Sequence, residues 1–298
     1  MSGAVKAAAP PPRARGVRPL LARLARSRTA VMGIVILMGV FLMAVLAAPL
    51  APHNPRAVDV LHTLTPPAWA PGGVAANVLG TDSLGRDILS RIIYGARISL
   101  LVGAVAVLIA GATGTFLGLI SGYFGGPADD VIMRVAEIQM AFPFILLALL
   151  IMAVLGQGLF NIILVLGISG WVPYGRVVRG QVIQLREKEF VEAARAIGAG
   201  HWRIVFRHVL PNNLAPIIVI ATFMVASTIV SEAALTFLGL GVEATTPTWG
   251  IMLAEGRDYL QVAWWLATFP GLAIMLTVLG VNAVGDWLRD YFDPRLGL

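Results

Sequence analysis

From Ala30 to Ala48 the chain runs without one charged side chain. At roughly 1.5 Å per helical residue that run reaches about 28 Å, enough to cross the hydrocarbon core of a bilayer. Apolar stretches follow at about 98–120, 131–155, 161–174, 214–238 and 262–287. The predicted fold is therefore all-α and integral to a membrane, with six transmembrane helices. A cleaved signal peptide has an apolar core of about 7–15 residues. The first run is longer, so it reads as a retained span even though the small residues Ala47 and Ala48 close it.

Composition agrees. Charged residues make up 13% of the chain, against about a quarter in a soluble domain. Mean hydropathy is +0.83. There is no cysteine, hence no disulfide and no thiolate chemistry.

The organisation read from the spans is a disordered, basic tail over 1–29, a first transmembrane helix over 30–48, a connection over 49–97, a five-helix core over 98–290 and a short tail over 291–298. Residues 18–28 are either a basic interfacial helix or a solvated tail. Within 49–97, Asp82 and Ser83 are placed to cap a helix beginning near Leu84. Its apolar face would be Ile88, Leu89, Ile92 and Ile93, with Arg86, Asp87 and Arg91 opposite, so it is expected to lie at the membrane boundary. Arg134 and Glu137, three apart, are expected to pair across one turn. Gly156, Gln157 and Gly158 should join the third and fourth spans as a hairpin. Pro270 should interrupt the sixth.

The most orderly polar stretch lies in the connection 172–213. From Glu189 to Asn213, charged residues alternate with apolar ones at helical spacing. Gly198 and Gly200 interrupt the pattern and Pro211 should stop it. The reading is two short helices meeting at a sharp corner. Small Ala193 and Ala194 beside Glu192 would let another protein approach closely.

This stretch resembles the cytoplasmic loop of ATP-binding-cassette importer permeases, whose pattern is Glu-Ala-Ala, three residues, Gly, nine residues, Ile, one residue, Leu-Pro. Glu192, Ala193, Ala194, Gly198, Leu210 and Pro211 match it in spacing, with His208 in place of the Ile. The wording around GTDSLGRDILSR, SEAALTFLGLG, PTWG and DPR is similar to the second permease subunit of dipeptide, oligopeptide, nickel and glutathione importers. The resemblance implies the six-helix fold of type I importer permeases, the MetI-like fold. It implies a second permease subunit, one or two ATPase subunits docking at Glu192, Ala193, Ala194, Arg195, Gly198, Ala199, His201, Leu210 and Pro211, and an extracytoplasmic solute-binding protein. The solute would be a dipeptide or oligopeptide, with nickel complexes or glutathione as the alternative. A second Glu-Ala-Ala at Glu232 to Ala234 lacks the glycine and gets no docking role.

Seventeen of the 22 Lys and Arg residues fall in the amino tail, near Arg134, in 172–213 or in the carboxyl tail. Basic residues favour the cytoplasm. Both termini and the Glu192 loop are thus expected to face it, in a bacterial inner membrane, and nucleic-acid binding is not needed to explain the net charge of +6. A phosphate-binding loop needs a Gly-Lys pair. Lys6 follows Val5 and Lys188 follows Glu187, so ATP is expected to be hydrolysed by partners, with no cofactor and no enzyme activity in this chain. His201 and His208 are assigned to the docking surface rather than to a metal. Glu232 and Asp286 would either line a gate or pair at a span end. A secondary transporter would place paired ionisable groups at mid-membrane, a membrane enzyme would need a catalytic constellation, and a mere scaffold would move no solute. No pattern supports the first two.

Overall fold

The computed structural model describes residues 24–243 and 245–292. Of the expected tails over 1–29 and 291–298, residues 1–23 and 293–298 lie outside the described residues, while 28–29 open the first helix and 291–292 close the last. Among those described there is no β-strand. Five helices are long and apolar enough to cross a membrane, and a sharply bent pair supplies a sixth when taken as one span.

Helix α1 (Arg28–Val45) starts at Ser27, whose hydroxyl accepts from the Ala30 amide, and is followed by the short α2 (Ala47–Leu50). The boundary helix and second span expected as separate elements are one helix, α3 (Ile88–Phe124), of 37 residues. Its cap is Asp87, not Asp82: the Asp87 carboxylate accepts from the Ser90 amide at 2.8 Å. Asp82 instead closes a turn, accepting from the amides of Leu84 and Arg86 at 2.8 and 2.9 Å. Gly80 and Gly85 hold φ of +84° and +74° there, which keeps 80–86 out of the helix.

Arg86, Asp87 and Arg91, expected to face outward, are buried. Arg86 Nε meets Asp82 at 2.6 Å and its Nη2 meets Glu255 at 2.9 Å. Arg91 meets Glu255 at 2.6 Å and also Asp82. Burial alone would lower the Arg86 pKa, but the facing carboxylates of Asp82 and Glu255 outweigh it and raise it. Glu255 sits on α11 (Trp249–Gly256), so this cluster ties the 80–87 turns to the 239–262 connection at one end of the bundle. Trp265 Nε1 donates to the Thr81 carbonyl at 3.1 Å at the same end.

The third span is not one helix. α4 (Gly126–Ala141) and α5 (Phe144–Leu155) meet at 92°. Pro143 lacks an N–H and pushes Phe142 to extended geometry, φ −97° and ψ 134°. Arg134 and Glu137 pair at 3.0 Å on α4 as expected. Gly156 and Gly158, at φ +82° and +151°, turn the chain into α6 (Leu159–Ser169) as expected. α6 continues through Gly170 into α7 (Trp171–Leu185), so the fourth span is longer than expected and the polar connection begins only at Arg186.

α10 (Leu210–Phe237) and α12 (Trp265–Phe292) complete the set. Pro270 does not interrupt α12; it lies in the second turn. Glu232 is fully buried in α10 and accepts from Thr236 at 3.0 Å, with Ser99 at 3.4 Å, which is polar pairing within the body. Asp286 is exposed on α12.

α3 and α7 pack backbone to backbone. A Cβ added at Gly114, Gly118 or Gly122 would meet Trp171 O at 2.3 Å, Gly175 O at 2.6 Å or Val182 Cβ at 2.7 Å. The four-residue spacing puts all three glycines on one helix face, the small-residue interface of membrane helices.

Candidate functional site

The corner forms at the other end of the bundle, where α3 ends. α8 (Glu189–Ala196) stops in a Schellman motif: Ala199 N–H bonds the Ala194 carbonyl at 3.0 Å and Gly198 N–H bonds Arg195 O at 2.9 Å. Gly198 takes φ +81°, a conformation costly for any other residue. Gly200 then leads into α9 (His201–Ile204), with the Ile204 amide on the Gly200 carbonyl at 3.1 Å.

Pro211 does not stop the second helix. A π-turn over Val205–Val209 carries α9 straight into α10, with the Leu210 N–H reaching the Val205 carbonyl. Pro211 sits in the first turn of α10, where a missing N–H is tolerated. The side-chain amides of Asn212 and Asn213 take up the carbonyls of His208 and Val209 at 2.6 and 3.0 Å.

One face of this bent element belongs to the chain itself. Val191, Ala194, Ile204, Val205 and Val209 are buried against Leu119 and Tyr123 of α3 and Val178 and Val182 of α7. Burying a side chain of that size contributes roughly 1.5–3 kcal/mol, so the corner is seated rather than loose. Tyr123 is its anchor: the Arg195 guanidinium lies 5.6 Å over its ring and its hydroxyl meets His201 Nδ1 at 3.2 Å. Behind the corner, Arg179 of α7 grips Asp129 of α4 through two bonds of 2.6 Å, and Asp129 also holds Ser121 of α3.

The other face is open. Glu192 and Ala193 are exposed, whereas Ala194, the third residue of the triplet, is 5% exposed and packs inward. A cavity of about 290 Å³ is lined by Ala194, Ile197, Gly198, Ala199, Arg203 and His208. Ile197 stands 85% exposed beside it. Trp202 and Phe206, stacked at 5.8 Å, add a second apolar patch. The expected site residues thus divide. Glu192, Ala193 and Gly198 face outward; Ala199 packs partly buried against the core at the cavity's edge, and Ala194, Arg195 and His201 brace the corner against the bundle. Leu210 packs partly buried against the same core, with Pro211 exposed on α10, away from the cavity. Ile197, Trp202 and Phe206 were missed. Their signal was their apolar character within the charged stretch, but only the backbone path leaves Ile197 bare and sets Trp202 beside Phe124 of α3 at 5.7 Å.

Residues 114–298 match the family of binding-protein-dependent transport system inner membrane components. The chain belongs to that family. The permease also matches, over residues 19–67, the N-terminal transmembrane domain of oligopeptide transport permease C. It is 46% identical over 271 residues to the dipeptide transport system permease protein of Escherichia coli K12, covering 91% of this chain and 90% of that one. Against the di/tripeptide transport system permease protein of Pseudomonas aeruginosa it is 45% identical over 272 residues, again 91% and 90%. A glutathione transport system permease protein of Pectobacterium atrosepticum is 45% identical over 225 residues, 76% of this chain and 75% of that one.

Proposed function

We propose that this permease forms, with a second permease subunit, the membrane path for dipeptides or oligopeptides, and that ATPase subunits drive it by gripping the corner at Glu192. The observation that carries the docking assignment is the corner's two-sidedness. Its inner face is sealed onto α3 and α7, while Glu192, Ala193 and the hollow beside Ile197 face outward. A chain that seats one face of a bent helix pair so firmly and leaves Ile197 bare has a surface built for another protein. The inner seating also gives the docked partner leverage, since moving the corner moves Val178 and Val182 of α7 and Tyr123 of α3 with it.

Peptide as the solute follows from the relatives: two of those named above carry dipeptides or di- and tripeptides. A glutathione permease is comparably similar, and glutathione is itself peptide-like, so it is the second reading. In this scheme ATP is bound and hydrolysed by the partners, both termini and the corner face the cytoplasm, and a binding protein delivers solute at the end held by Asp82, Arg86, Arg91 and Glu255.

Replacing Glu192 with Arg tests the docking. The side chain is exposed and makes no hydrogen bond among the described residues, so the change reverses a contact charge without disturbing the bundle. The expected result is loss of ATPase co-purification with normal membrane insertion. ATPases that co-purify at the normal ratio would refute the assignment. Uptake of labelled dipeptide in vesicles holding the assembled transporter, compared with labelled glutathione, separates the two solutes.

A further inference from the structure

The right-angle elbow between α4 and α5 opens onto a cavity of about 500 Å³. One wall is the elbow itself, Phe142, Pro143 and Phe144. The facing wall is α10, which contributes Ser227, Thr228 and Ser231. The cavity collects hydrogen-bond donors that have nothing to donate to. α5 begins at Pro143 with no side-chain cap, and its first bond runs from Leu147 N–H to the Pro143 carbonyl at 3.1 Å. The amides of Phe144, Ile145 and Leu146 are therefore left over at the elbow.

Thr228 is the independent second observation. It is only 7% exposed, it lines this cavity, and its hydroxyl makes no hydrogen bond among the described residues. The hydroxyl itself is not sealed in the protein, so it is open to the cavity it lines. By contrast, Thr222 on the same helix and Thr277 of α12 donate to the carbonyls of Val219 and Ala273 at 2.7 Å. Ser227 and Ser231, beside Thr228 and one turn beyond it, are also without a hydrogen-bond partner among the described residues.

We infer that this cavity is a transit subsite for the carboxylate end of a peptide, held by the amino end of α5 and the hydroxyls of Thr228 and Ser231. The inference rests on the peptide reading above and deepens it. A carboxylate offers acceptors only, so it matches a set of orphan donors. The first turn of a helix adds a partial positive charge that favours an anion. No Lys or Arg lines the cavity. Without a full positive charge the grip is weak enough to release, which a conduction path requires. Met140, Leu147 and Met224 supply unspecific apolar surface for peptide side chains.

The test uses the assembled transporter with its partner permease, ATPases and binding protein. Dipeptide and the same dipeptide amidated at its carboxyl end are supplied at binding-protein concentrations that saturate each. The normal transporter should carry the free acid faster. The double variant Thr228→Val, Ser231→Ala should cut that preference about five- to tenfold, the effect of roughly one lost hydrogen bond, and Thr228→Ser should keep it. An unchanged preference in the double variant overturns the inference. Because the chain has no cysteine, Thr228→Cys adds a single thiol to it, read by mass on this chain. A small anionic thiosulfonate should label it, and transported dipeptide should slow the labelling. No labelling in any state would mean that another subunit fills the cavity, which also overturns the inference. If the normal transporter moves no dipeptide at all, the peptide reading fails and not the subsite alone.

Discussion

Asp82 and Arg91 show how a residue's meaning depends on distant company. Arg86, Asp87 and Arg91 fall opposite Ile88, Leu89, Ile92 and Ile93, the pattern of a helix half in water. Periodicity reveals which face is apolar; it does not reveal whether the other face meets solvent or counter-charge. Glu255, 164 residues after Arg91, is what allows that face to be buried. Breaking a buried ion cluster by removing one partner costs about 3–5 kcal/mol, because the remaining charge has no compensation. Asp82→Asn keeps the shape and the backbone acceptor but removes the charge between two guanidinium groups. It should lower the unfolding midpoint of the purified complex by several degrees, while Asp59→Asn, at an exposed carboxylate whose only side-chain partner among the described residues is His62, should leave it nearly unchanged. The docking triplet was legible in its spacing, yet only the backbone path of α8 decides that Glu192 and Ala193 look outward and Ala194 inward.

At the scale of elements, three prolines had three outcomes. Pro143 falls where the span breaks, with Phe142 before it in extended geometry, as a residue preceding proline prefers. Pro211 directly follows a π-turn, and the helix runs on through it, with the side-chain amides of Asn212 and Asn213 bonding the carbonyls of His208 and Val209 in the turn before. Pro270 falls in the second turn of α12, where the helix runs on. A proline in a sequence announces a missing donor; the fate of the helix rests on which neighbours can take the freed carbonyls. The hairpin at Gly156 and Gly158 was easier to read, since two glycines bounding two apolar runs leave few other conformations. The glycine face of α3 makes a prediction at this scale. Gly118→Ala would drive a methyl to 2.6 Å from the Gly175 carbonyl and should lower complex yield and thermal stability. Gly180→Ala, which meets nothing within 4 Å, should be neutral or stabilising by up to about 1 kcal/mol through helix propensity. Equal effects of the two would remove the close-packed α3–α7 seam from the account.

For the whole molecule, the two ends of the bundle should face opposite compartments. Ile197→Cys and Val60→Cys each place a lone thiol on an exposed site at one end. A membrane-impermeant maleimide should reach Val60→Cys in intact spheroplasts and Ile197→Cys only in inverted vesicles; the reverse pattern would overturn the proposed orientation. Both ends are carried by α3. Its 37 residues make an unbroken helix about 55 Å long, well beyond the hydrocarbon thickness of about 30 Å. One tip is locked into the arginine–carboxylate cluster and the other ends at the tyrosine beneath the corner. Were such a helix to tilt as a rigid beam, about 5° around its middle would swing its tips roughly 2 Å in opposite directions. A partner that favours one tilt at one tip would then bias binding at the other, by the same amount of free energy in each direction.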